Sequence, residues 1–192
     1  METVLVSLGA VAFAEIGDKT QLLAILLAAR FRAPIPIILG IFAATAANHS
    51  LAALFGVAAA AWLSSGVLTG VLALSFLAMA AWTLLPDSLE KEPRLFEKFG
   101  PFGATLVSFF LIEMGDKTQL ATVMLAARYR DFLLVATGTT LGMLVADVPA
   151  VYLGELVARR VPLKWMRLVA AGIFLFLGIA AALDWGRRFL FA

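Results

Sequence analysis

Polar residues are so sparse along this chain that the apolar stretches between them set its organisation. Hydrophobic runs extend from Val4 to Ala29, Ile35 to Leu63, Val67 to Leu85, Phe102 to Ala127, Phe132 to Val157 and Leu163 to Leu183. Each reaches the roughly 20 residues that a helix needs to span a bilayer core, so six transmembrane helices are predicted. The breaks are Arg30 to Pro34, Ser64 to Gly66, the charged stretch Pro86 to Pro101, Arg128 to Asp131, and Arg159 to Pro162. Trp62, Trp82, Trp165 and Trp185 fall at or near segment ends, the expected place for an interfacial aromatic belt.

Two of the runs break their own pattern. Glu15-Ile16-Gly17-Asp18-Lys19-Thr20-Gln21 interrupts the first, and Glu113-Met114-Gly115-Asp116-Lys117-Thr118-Gln119 interrupts the fourth. At a constant offset of 98, residues 14–32 and 112–130 share 12 identities in 19 positions. The correspondence continues: Gly40 meets Gly138, Gly56 meets Gly154, and Val71, Ala73, Phe76 and Leu77 meet Val169, Ala171, Phe174 and Leu175. The chain is a duplication, with repeat one over 1–85, a linker over 86–101 and repeat two over 102–192, in one membrane domain. Three crossings per repeat turn the second copy upside down. The expected fold is therefore an all-α integral membrane protein of two inverted three-helix repeats about an axis in the membrane plane.

Composition agrees and narrows the function classes. Hydrophobic residues make up 62% and charged residues 15% of 192, and mean hydropathy is +0.98, far from a soluble domain. With no cysteine, disulfides, thiol catalysis and thiolate metal sites are excluded, and the single histidine, His49, excludes a multi-histidine site. The net charge of +2 does not point to nucleic acid, because the basic residues sit at helix ends rather than in a patch. The N-terminal run lacks a basic n-region and contains Glu15 and Asp18, which argues against a cleaved signal peptide. With both termini outside, the inner loops hold Arg30, Arg32, Lys91, Arg94, Lys98, Arg159, Arg160, Lys164 and Arg167. Only Arg128, Arg130, Arg187 and Arg188 then lie outside. Nine against four predicts extracytoplasmic termini.

The repeated motif is where chemistry is expected. A charge near the bilayer centre costs on the order of 3 kcal/mol on insertion scales, and the two motifs hold six. On a continuous helix Glu15, Asp18 and Lys19 share one face with Gln21, while Thr20 points away, and Glu113, Asp116, Lys117 and Gln119 do the same opposite Thr118. Two acidic faces can then converge between the helices. The plainer alternative, i,i+4 ion pairs Glu15 to Lys19 and Glu113 to Lys117, leaves both aspartates and both glutamines unexplained. Each motif sums to minus one, so a facing pair is neutralised by one divalent cation. Carboxylate and amide oxygens are hard ligands that suit Ca, Mg or Mn. A desolvated carboxylate that loses its cation is stabilised by taking up protons instead, which predicts cation/proton exchange.

Gly17 and Gly115 permit either close helix approach or local unwinding beside the acids. Asp147 is a further pathway candidate, and Pro149 deprives the Val145 carbonyl of its helical donor. By the offset its counterpart is His49, expected to be packed or interfacial, with Asn48 alongside as another pathway candidate. Glu155 is expected to be a solvated or vestibule charge, and the linker residues Asp87, Glu90, Lys91, Glu92, Arg94, Glu97 and Lys98 a surface segment.

Both motifs match the signature E-x-G-D-[KR]-[TS], and in this respect the chain resembles the Gdt-type family of manganese and calcium cation/proton exchangers. The resemblance covers nearly the whole chain, since family members consist of two such three-helix units with an intervening loop. It implies that Glu15, Asp18, Glu113 and Asp116 bind the cation, assisted by Thr20, Thr118, Gln21 and Gln119. It further implies Mn2+ or Ca2+ as transported substrate, protons as the exchanged partner, no permanently bound cofactor, and a compact bacterial member in the inner membrane. Two other readings are an exporter of small organic cations and an intramembrane carboxylate enzyme. The enzyme reading is disfavoured because two equivalent motifs provide no distinct acid and base.

Overall fold

The computed structural model describes residues 1–85, 98–153 and 163–190, and these are helical apart from short connections. In chain order the helices are α1 (Glu2–Glu15), α2 (Lys19–Phe31), α3 (Pro34–Trp62), α4 (Ser65–Thr83), α5 (Gly100–Glu113), α6 (Lys117–Tyr129), α7 (Phe132–Leu153) and α8 (Leu163–Leu190). Four helical stretches are long and apolar enough to cross a membrane, namely Pro34–Trp62, Ser65–Thr83, Phe132–Leu153 and Arg167–Arg187. The shorter α5 is apolar as well. Most of the linker, with Asp87, Glu90, Lys91, Glu92, Arg94 and Glu97, lies outside the described residues, as do Gly154, Glu155, Arg159 and Arg160.

The expectation of six continuous helices is corrected at both motifs, where the first and fourth runs each divide in two. At 14 residues, α1 is about 21 Å long, short of a hydrocarbon core of about 30 Å. The cause of the division is local. Ile16 sits at φ −62°, ψ 114° and Met114 at φ −65°, ψ 116°, while Gly17 and Gly115 take φ 85° and 80°. The Asp18 amide donates to the Glu15 carbonyl at 2.9 Å, and the Asp116 amide to the Glu113 carbonyl at 3.0 Å. These are type II β-turns, which require positive φ at their third residue and so favour glycine there. Of the two roles open to the motif glycines, the unwound turn is the one adopted.

Both halves end the next helix alike. Arg32 and Arg130 adopt left-handed conformations, φ 51° and 53°, and their amides return to the carbonyls of Ala28 and Ala126, an αL cap. Pro34 then starts α3, where a fixed φ and a missing amide proton are tolerated. At the equivalent point Asp131 Oδ1 accepts from the Leu134 amide at 2.9 Å and starts α7.

The halves pack reciprocally. α3 lies on α5 and α6, and α7 lies on α1 and α2. A Cβ on Gly40 would meet the Phe102 carbonyl oxygen at 2.8 Å and Thr105 Cβ at 2.7 Å. One on Gly138 would meet the Val4 carbonyl oxygen at 2.7 Å and Ser7 Cβ at 2.8 Å. Phe102 and Thr105 are the offset partners of Val4 and Ser7, so one close contact is made twice with the halves exchanged. α4 packs on α8, and there Phe76 stacks on its counterpart Phe174 with ring centroids 6.4 Å apart. Outward faces carry large apolar side chains such as Leu54, Phe55, Leu74 and Phe176, and all four tryptophans are exposed. That is the surface an apolar solvent requires.

Candidate cation site

The two turns bring the motif acids into the interior. Glu15 ends α1 and Glu113 ends α5, while Asp18 and Asp116 stand at the N-caps of α2 and α6. All four are buried, with Glu15 completely inaccessible. Because each helix breaks between its glutamate and its aspartate, the expectation of one shared helical face is corrected. The turn, not the helical period, sets where each carboxylate points. Thr20 and Thr118 are therefore not on a far side: both are fully buried, and the Thr118 hydroxyl donates to Glu113 Oε1.

The glutamines hold the turns. Gln21 Oε1 accepts from the Gly17 amide at 2.9 Å and Gln119 Oε1 from the Gly115 amide at 2.7 Å. Each side chain thus reaches back from the first helical turn to an amide that the helix itself leaves unpaired. Gln21 also donates through Nε2 to the Ala146 carbonyl of α7 at 3.2 Å. The stretch before Pro149 is thereby engaged at Ala146, one residue after the carbonyl that the proline deprives.

Several further contacts cross between halves. Lys19 Nζ lies 2.5 Å from Asp116 Oδ1, an ion pair with the other motif rather than with Glu15 four residues earlier. Lys117 Nζ reaches the Leu85 carbonyl at 3.3 Å and lies 5.9 Å from the centre of the Trp82 ring. Asn48 Nδ2 donates to the Phe110 carbonyl at 3.0 Å. His49 is fully buried, with Nε2 3.9 Å from Glu113 Oε1. Of the two outcomes expected for it, packed or interfacial, the packed one is adopted.

Asp147 on α7 is fully buried as well. Glu15 lies within electrostatic reach of Glu113, Asp18, Asp147 and Asp116, so carboxylates from three helices and two turns converge. Glu15 Oε1 and Oε2, Glu113 Oε2, both Asp147 oxygens, Thr20 Oγ1 and Asn48 Oδ1 are buried without a hydrogen-bond partner in the protein. Buried carboxylates in that condition call for a compensating cation or proton. Among the described residues, no three His, Asp or Glu side chains form a ready metal-binding group, so a cation held here would also use amide, hydroxyl or carbonyl oxygens. A neighbouring cavity of about 400 Å³ is bordered by Met114, Gly115, Asp116 and Gln119, with Leu51, Phe55 and Trp82 among its apolar walls.

With this geometry in place, the comparisons with known proteins decide the family. The family model described as "Divalent cation/proton antiporter GDT1" matches residues 3–91 and again 101–188. This chain belongs to the GDT1 family. It is 53% identical over 183 residues, 95% of its length, to a protein of Vibrio cholerae serotype O1 whose name is that of a manganese exporter, covering 91% of that relative. No solved structure matches the chain at a significant level. Membership makes this chain a membrane-bound divalent cation/proton antiporter and not an enzyme.

Proposed function

We propose that this GDT1 protein exports Mn2+, with Ca2+ as a second substrate, from the cytoplasm in exchange for protons. The observation that carries the site assignment is the doubled turn, which buries a glutamate and an aspartate in each half and leaves oxygens of Glu15, Glu113 and Asp147 without hydrogen-bond partners. Glu15, Asp18, Glu113 and Asp116 are the charged ligands in this reading. Gln21, Gln119, Thr20, Thr118 and Asn48 supply neutral oxygens, and Asp147 extends the pathway from α7. The thiolate and clustered imidazole donors that favour Cu or Zn are absent from the sequence. The name of the Vibrio cholerae relative supports manganese as the main cargo.

In the same reading, α1 with α2 and α5 with α6 each make one interrupted crossing, giving six crossings in two inverted repeats in the inner membrane, with both termini outside. The reciprocal contacts of Gly40 and Gly138 support this symmetry. Interrupted helices with acids at the break are a familiar way to hold an ion at mid-membrane. Replacing Glu15 or Asp116 by Ala is expected to reduce Mn2+ efflux from loaded vesicles at least about tenfold, as expected when a charged ligand worth more than about 1.4 kcal/mol is lost. Undiminished efflux in either variant would remove that residue from the site.

A further inference from the structure

We propose that the Lys19 ammonium is the resident counter-ion of the cation site: it holds the Asp116 carboxylate while no divalent ion is bound, and an incoming Mn2+ displaces it. The inference rests on the reading of the two motifs as that site. It adds a competitor built into the protein, which sets how tightly the ion is held and how readily it leaves.

The position of Lys19 argues against a role in supporting its own helix. It is the first residue of α2, where the helix dipole presents its positive end and a cation is unfavourable. Its ammonium instead reaches Asp116 at 2.5 Å, on the other half of the molecule.

Asp116 is 3% exposed. A carboxylate so far out of water is costly to leave uncompensated, more so with Glu113 and Asp18 nearby. The Lys19 side chain is 24% exposed, so its ammonium has a second place to go. Four methylenes can run along apolar surface while the charged end turns towards water. A divalent ion and a tethered monovalent one then compete for the same oxygens. The observed affinity is the intrinsic affinity reduced by the fraction of sites in which the ammonium is already away from Asp116.

Two consequences follow. Removing the charge while keeping the length, in Lys19→Met, tightens Mn2+ binding by about tenfold or more if the ammonium holds Asp116 about nine-tenths of the time. The same variant turns over more slowly at saturating Mn2+, because nothing helps to expel the ion and release becomes limiting. A purely structural ion pair predicts the reverse for affinity, since its loss loosens the site.

The test is calorimetric Mn2+ binding to the purified full chain as wild type, Lys19→Met and Asp116→Asn, with transport in proteoliposomes alongside. A second readout on the wild type needs no variant: acylation of Lys19 by an amine-reactive reagent, quantified by mass spectrometry with and without saturating Mn2+ and referred to the exposed Lys98. Tighter binding with slower turnover in Lys19→Met, and Lys19 acylation rising several-fold with Mn2+, are the expected results. Unchanged or weaker binding in Lys19→Met, or acylation that does not rise, overturns the proposal while leaving Mn2+ transport by the wild type intact. If Lys19→Met does not fold, the acylation result decides alone. Absence of Mn2+ and Ca2+ binding in the wild type removes the underlying site reading, and this proposal with it.

Discussion

Gly17 and Gly115 show how a single residue type decides the site. At φ 85° and 80° each occupies the position of a type II turn that side-chain-bearing residues disfavour. Nothing lies within 4 Å of where a Cβ on Gly115 would be, so the penalty for a side chain there is conformational rather than steric. Gly115→Ala is expected to cost about 1–2 kcal/mol in thermal unfolding in detergent, and to lower Mn2+ transport by moving Glu113 relative to Asp116. An unaltered melting temperature would show that the turn is not required. The residue types of the site were legible in the sequence, because acids and amides in apolar runs are conspicuous. The role of the glycines was open between packing and unwinding, since both use the missing Cβ. The Lys19 to Asp116 contact was not legible, because it joins residues 97 apart whose spacing carries no periodic signal. The proximity of His49 to Glu113 was not legible for a related reason: a lone histidine has no pattern until its neighbours are known.

At the scale of elements, the hydrophobic pattern located the ends of α3, α4 and the start of α7 to within a few residues. It missed the breaks in the first and fourth runs, where apolar residues resume at Leu22 and Leu120, only a few positions after each turn. What holds the elements together is close approach of backbones. The Gly40 contact with Phe102 and Thr105, and the Gly138 contact with Val4 and Ser7, leave no room for a methyl group without shifting a carbonyl. Gly40→Val and Gly138→Val are each expected to destabilise by about 1–3 kcal/mol. Gly172→Ala, with open space around it, is expected to be tolerated. Comparable melting temperatures for all three would contradict the reciprocal packing.

At the scale of the whole molecule, duplication, reciprocal packing and charge asymmetry describe one device with two equivalent halves. Each half contributes a turn, an acid pair and a lysine, and the third helix of each half, α3 or α7, carries one member of the odd pair His49 and Asp147. There one half places an imidazole where the other places a carboxylate, and both members are fully buried. The distribution of basic residues predicts that a single cysteine introduced next to Met1 reacts with a membrane-impermeant maleimide added to intact cells. Protection from the reagent until the membrane is permeabilised would invert the assigned orientation.

The central claim is that the paired motifs carry a divalent cation against protons. Its most direct test is Mn2+ uptake into proteoliposomes selected for inside-out orientation, with an acidic lumen, comparing wild type with Asp18→Asn combined with Asp116→Asn. Outward proton flow should drive Mn2+ accumulation in the wild type, collapse with the gradient when a protonophore is added, and be absent in the double variant. Accumulation that persists without a proton gradient, or in the double variant, would contradict the account.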